Sequence, residues 1–158
     1  MTKLNPIIKL ILSLALTLAA GGIAGVFTAT AIGTWFETLH HPSFRPPNWL
    51  FGPVWTILYI LMGISLYLIW KQEATPIRKN ALLIFALQLS LNFIWSFLFF
   101  YFHAIGFALI EIVALWVCIS IMILQFNKVK PVAAYLNIPY IVWVTFALIL
   151  NAAYFELN

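Results

Sequence analysis

Five runs of apolar residues, each long enough to cross a bilayer as a helix, leave this chain little choice of fold. They extend roughly from Ile7 to Ala31, Leu50 to Trp70, Asn80 to Phe102, Ala104 to Phe126 and Val132 to Phe155. A spanning helix needs about 20 such residues at a rise of about 1.5 Å each. Hydrocarbon offers no water to the backbone, so each run must satisfy its own N–H and C=O groups, which a helix does. A barrel would need short strands of alternating polarity, and uninterrupted runs contradict that. Only 8% of the 158 residues are charged and 65% are hydrophobic, against about 25% charged in a soluble domain. The expected fold is an all-α membrane protein, a five-transmembrane-helix bundle forming a single domain over residues 1–158. The first run also has features of a secretory signal, with Lys3 and Lys9 at its start and Ala29-Thr30-Ala31 at its end. Its apolar core exceeds the usual span of about 7–15 residues, which favours a retained helix. No internal repeat is visible, so an inverted-repeat transporter gains little support.

Charge sets the expected orientation. Of the eight Lys and Arg residues, Lys3, Lys9, Lys71, Arg78, Lys79, Lys128 and Lys130 fall on one side of the five runs, and only Arg45 on the other. Basic residues accumulate on the cytoplasmic face. In a bacterial cell membrane the amino terminus would be cytoplasmic, with the first loop and the carboxyl terminus outside. The net charge of +4 is then a topology signal, not a nucleic-acid footprint, and no nucleic-acid partner is expected. The single cysteine, Cys118, can form no internal disulfide, and no metal or redox motif can be built from it.

Leading from the first run into the second is the stretch Trp35–Tyr59, with four prolines and three tryptophans. Proline fixes φ and forbids regular helix, so this connection is shaped and rigid. Tryptophan favours the membrane interface or the aromatic wall of a ligand site. A lid over one end of the bundle is expected.

Polar residues in apolar helices turn inward. The third run carries Gln88, Asn92, Trp95 and Ser96 on one face, the second Trp55 and Tyr59, and the fifth Tyr140, Trp143, Ala147, Asn151 and Tyr154, starting from Pro139. Each residue alone reads best as glue between helices. The set, under a proline-rich lid, reads better as a concave aromatic cavity with a few convergent polar groups, the usual form of a small-molecule site. Glu111 is the one charge deep in a run, open either to a functional role or to packing in neutral form. His40, His41 and His103 fall near one interface, where haem ligation competes with an ordinary interfacial role. Gly21 and Gly25 allow close backbone approach, within the chain or between two copies.

These residues also carry a specific resemblance. The blocks are Trp35, Pro42-Ser-Phe-Arg-Pro-Pro-Asn-Trp49, Phe51-Gly-Pro-Val-Trp-Thr-Ile-Leu-Tyr59, Leu91-Asn-Phe-Ile-Trp-Ser-Phe-Leu-Phe-Phe100 and Pro139-Tyr-Ile-Val-Trp-Val-Thr-Phe-Ala-Leu-Ile-Leu-Asn151. Over nearly its whole length the chain resembles the translocator protein family, whose bacterial members are called tryptophan-rich sensory proteins. The resemblance implies a five-helix bundle, usually a homodimer, with a ligand cavity under the first loop. Its ligands would be porphyrins such as protoporphyrin IX and haem, cholesterol in animals, and synthetic isoquinoline and benzodiazepine drugs. By position the ligand-binding residues would be Val26, Phe36, Trp55, Tyr59, Asn92, Trp95, Trp143 and Ala147. Glu111 falls where many members carry an acid. Neither a cofactor nor a metal is implied. Nothing in the chain resembles an acid–base pair or an activated nucleophile. For some bacterial members the resemblance implies light-dependent porphyrin degradation, here through Trp55 and Trp143, and sterol or lipid-metabolite transport is a further alternative. The chain departs from the animal members at the end of the fifth run. Leu150 is kept, but Ala152 and Glu156 replace the tyrosine and the basic residue of a sterol-recognition stretch, and no Lys or Arg follows Tyr154. That favours a bacterial, porphyrin-handling protein.

Overall fold

The computed structural model describes residues 5–158, and Lys3 lies outside them. The described residues are helical apart from short connections: α1 (Pro6–Ile32), a 3-10 turn (Trp35–Thr38), α2 (Asn48–Trp70), α3 (Pro76–Ser96), a π-turn (Phe97–Tyr101), α4 (Ile105–Val129), α5 (Pro131–Tyr135) and α6 (Ile138–Leu157). Five segments are long and apolar enough to cross a membrane: α1, α2, α3 with its π-turn, α4, and α5 with α6.

Local chemistry starts the helices. Asn5 caps α1 by accepting the Ile7 N–H at 2.9 Å, with Pro6 in the first turn. Thr75 caps α3 by accepting the Arg78 N–H at 3.2 Å, with Pro76 behind it. A side-chain acceptor followed by proline satisfies the first exposed donors and presets φ. That is why α3 begins four residues before the start expected at Asn80.

The fifth span is not one continuous helix. It breaks between α5 and α6 at Asn137, which is wholly buried. Its Nδ2 donates to Ser65 Oγ of α2 at 2.6 Å and to the Ala133 carbonyl at 2.8 Å, and Ser65 Oγ donates to the same carbonyl at 3.0 Å. The break is tolerated because a side chain from a neighbouring helix serves a freed backbone group.

One core, at the end of the bundle away from the first loop, is closely packed. Met62, Ile69, Phe85, Ile112, Ile119, Met122 and Phe126 are at most 2% exposed, and the rings of Phe85 and Phe126 stack at 6.0 Å. A second cluster, around Phe36, Phe99, Phe100, Leu150 and Tyr154, sits under the first loop. The loop and the carboxyl terminus occupy the same end. The His40 N–H donates to Asn158 Oδ1 at 2.8 Å, and Asn158 Nδ2 donates to the His40 carbonyl at 3.1 Å.

Candidate functional site

Between the two clusters the helices enclose a cavity of about 600 Å³, walled by α1, α2, α3 with its π-turn, and α6. Pockets of about 300–1,000 Å³ are the usual size for drug-sized ligands. Six of the eight residues expected from the sequence line it: Phe36, Trp55, Tyr59, Trp95, Trp143 and Ala147.

Ring contacts hold the void open. Trp55 lies 5.6 Å from Tyr59, one turn along α2. Trp95 stacks on Phe99 at 5.4 Å, and Trp143 touches Phe51 at 6.1 Å and Phe146 at 5.4 Å. Phe36, 2% exposed, plugs the loop end against Phe100 at 5.7 Å and Tyr154 at 5.3 Å.

Hydrogen bonds decide which polar groups remain for a ligand. The Tyr59 hydroxyl donates to Asn92 Oδ1. Asn92 Nδ2 donates to the Tyr140 hydroxyl at 3.0 Å, which donates onward to Gln88 Oε1 at 2.9 Å. Asn92 is 3% exposed and does not line the cavity; it positions Tyr59 from behind. Trp95 Nε1 donates to Asn151 Oδ1 at 3.1 Å, and Asn151 Nδ2 donates to the Ile105 carbonyl at 3.1 Å. The Tyr59 proton and the Trp95 N–H are therefore spent. The Trp143 Nε1 donor is buried without a partner, a state that native structures seldom leave unanswered. Among the indoles that line the cavity, that of Trp143 is the one whose N–H is both buried and without a partner.

Val26 stands apart from the expected set. It is 63% exposed and lines no part of the cavity. Gly22, Gly25 and Ala29 form the α1 wall instead. At 100° per residue Val26 lies to the side of that stripe. Phe99 and Phe100 are wall residues beyond the expected set. The π-turn places these neighbours so that both are buried, at 2% and 8% exposure, and no helical spacing signals that.

Over the cavity's loop end, Glu37 Oε1 accepts from Arg45 Nη2 at 2.9 Å and from Asn48 Nδ2 at 3.0 Å. Hydrogen bonds from Asn48, then from Arg45, hold the Glu37 carboxyl below its ordinary range. The Arg45 guanidinium lies 4.9 Å from the Phe36 ring centroid. His41 Nδ1 and the Tyr154 hydroxyl are 2.9 Å apart, tying the loop to α6. Desolvation, helped by the charge of Arg45, pushes His41 below its usual value, opposed by Glu37. His103 stacks on Trp35 at 4.0 Å. Glu111 lies outside the cavity wall, and both its oxygens are buried without a hydrogen-bond partner.

Comparison with known proteins finds similar chains over most of this length. The model of the TspO/MBR family matches residues 13–156. A tryptophan-rich protein TspO of Archaeoglobus fulgidus is 40% identical over 152 residues, covering 96% of this chain and 98% of the relative. Another from Chlorobaculum tepidum is 39% identical, covering 96% and 97%. The translocator protein of Homo sapiens is 35% identical over 119 residues, covering 74% of this chain and 70% of its own.

Proposed function

Because this chain belongs to the TspO/MBR family of membrane sensory and translocator proteins, we propose that it is a receptor or carrier for flat, mostly apolar ligands, tetrapyrroles such as protoporphyrin IX and drug-like aromatics among them. The observation that carries this reading is the cavity itself: four indoles, of Trp49, Trp55, Trp95 and Trp143, around about 600 Å³, with one buried N–H left unpaired at Trp143. A ligand carbonyl or carboxylate oxygen would satisfy that donor, and a ligand donor would meet the Tyr59 oxygen. The rings supply stacking worth about 0.5–1.5 kcal/mol per pair beyond area burial. Phe36, Trp55, Tyr59, Trp95, Trp143 and Ala147 bind, while Asn92 positions Tyr59.

Titration of the protein in nanodiscs with protoporphyrin IX, followed by tryptophan quenching, tests this. Trp143→Ala is expected to weaken binding about tenfold or more, since about 1.4 kcal/mol is a factor of ten and cavity terms add. Trp70→Ala, at the far end of α2, should leave affinity unchanged. Equal losses from the two would place the ligand elsewhere.

A second reading rests on Trp55 and Trp143 lining the same void from α2 and α6. Two indoles beside a bound photosensitiser are placed to donate electrons or be oxidised, as light-dependent degradation would require. Porphyrin fluorescence decaying faster than that of free chromophore, and slowed by Trp55→Phe and Trp143→Phe at unchanged binding, is the expected signature. Equal decay in all samples leaves a receptor or carrier.

The protein is integral to the membrane. Its basic residues support a bacterial cell membrane with the amino terminus cytoplasmic and the carboxyl terminus outside. Labelling of Arg45→Cys and Arg78→Cys from opposite faces is expected, and labelling from one face would reverse this. A single domain over 1–158, acting as a homodimer, completes the proposal.

A further inference from the structure

Phe36, buried at the cavity's loop end, plugs it there, and one side of the cavity is lined by exposed residues. Among its lining residues those from α3, the π-turn and α6 are all buried or half-buried, as is the lid residue Phe36. The exposed ones all belong to two neighbouring helices: Gly22, Gly25 and Ala29 of α1, with Leu18 deeper, and Trp49, Gly52 and Thr56 of α2.

Glycine explains why these helices part where they do. Low in the bundle α1 and α2 touch: a Cβ on Gly63 would meet Thr17 Oγ1 at 2.8 Å and the Leu14 Cα at 3.0 Å, and one on Gly21 would strike the Tyr59 ring. Higher up, a Cβ on Gly22, Gly25 or Gly52 would meet nothing within 4 Å. The gap runs from the level of Leu18 to that of Ala29, about 16 Å at the α-helical rise. Both of its edges lie inside spanning segments. Around it Ile23, Val26, Trp49 and Ile57 are 52%, 63%, 71% and 58% exposed, so the gap gives onto hydrocarbon. Its hydroxyls are turned back on their own helices, Thr28 Oγ1 donating to the Ala24 carbonyl at 3.0 Å and Thr56 Oγ1 to the Gly52 carbonyl at 2.9 Å. An apolar molecule passing through would break no hydrogen bond.

We infer that ligands enter and leave this cavity sideways from the bilayer, through the glycine-walled gap between α1 and α2, and that the site therefore selects membrane-dissolved amphiphiles over water-borne ones. This rests on the receptor reading above. The first-loop lid keeps water out and is not the door.

Rapid mixing with protoporphyrin IX, together with release into excess empty vesicles, tests the route. Gly25→Leu and Gly22→Leu put a side chain in the gap. Each is expected to slow both association and release by about tenfold, a larger factor than any change in Kd, because an obstruction raises the barrier in both directions. A disulfide across the lid, from His40→Cys with Asn158→Cys, should leave both rates unchanged. Gly25→Ala and Gly22→Ala give a graded series if leucine is not tolerated. Slowing by the lid disulfide, with glycine variants at unmodified rates, would overturn the route. So would spontaneous Gly25→Cys cross-links between two copies, which would mean that a second α1 covers the gap. Saturable binding with unaltered rates in every variant overturns the route alone. Absence of saturable binding by the unmodified protein overturns the receptor reading and the route with it.

Discussion

The same two helices, α1 and α2, behave in opposite ways at the two ends of the bundle. At one end Gly63 admits Leu14 and Thr17 to near backbone contact; at the other Gly22, Gly25 and Gly52 face empty space. Glycine serves packing where a neighbour fills the room it leaves, and serves access where none does. The surrounding side chains show the same contrast. Around Met62, Ile119 and Phe126 flexible aliphatic and aromatic groups interdigitate to near-zero exposure. Around the cavity the large rings cannot collapse inward. Trp95 is tethered to Asn151 and Tyr59 to Asn92, and Phe36, Phe99 and Tyr154 brace one another.

That contrast should be largest in stability. Gly63→Leu forces a side chain against the α1 backbone, and overpacking of this kind costs typically about 1–3 kcal/mol. Gly52→Leu, with open space beside it, should cost under about 0.5 kcal/mol, as surface changes usually do. Unfolding in mixed micelles compares them; equal losses would erase the distinction between the two ends.

Asn92 sits on the boundary, and its replacement sharpens the division. Asn92→Leu leaves the Tyr59 and Tyr140 hydroxyls without their partner, at about 0.6 kcal/mol for an average interhelical bond in a membrane protein and up to about 1.7. Because it releases the Tyr59 ring, a several-fold loss of protoporphyrin IX affinity is expected as well. Stability falling with affinity intact would assign Asn92 to packing alone.

The smallest effect belongs to the lid. His41 faces the Tyr154 hydroxyl, Glu37 at 3.8 Å, and the charges of Arg45 and His40. Its value in the folded protein is lowered from 6.5, so the unfolded or detached lid binds the proton more readily. The contribution of the loop-to-α6 contact is complete above about pH 6.5 and is lost as pH falls through the lower folded value. Amide exchange of the lid, corrected for its intrinsic pH dependence, should rise a few-fold between about pH 7.5 and 5.5. His41→Gln should flatten that response. Slower exchange at low pH would mean that Glu37 outweighs desolvation.

How much of this was legible beforehand divides along the range of the forces involved. The five spans follow from apolar run length, and the caps at Asn5-Pro6 and Thr75-Pro76 from neighbours in the chain, so sequence alone determined them. The inward stripe of Gln88, Asn92 and Trp95 and that of Tyr140, Trp143, Ala147 and Asn151 were also legible, because 100° per residue fixes a face. What that periodicity cannot decide is what meets the face. Trp95 looks into a void while Asn92, one turn earlier, is locked between two tyrosines, and that depends on α2 and α6. The break at Asn137 needed Ser65 from a distant helix to satisfy it. The π-turn that brings both Phe99 and Phe100 to the wall changes the register on which sequence patterns rely. Gly21 and Gly25 look alike as letters. Only the packed structure set one against the Tyr59 ring and left the other at an open gap, because whether a missing side chain makes a contact or a hole depends on what another helix places there.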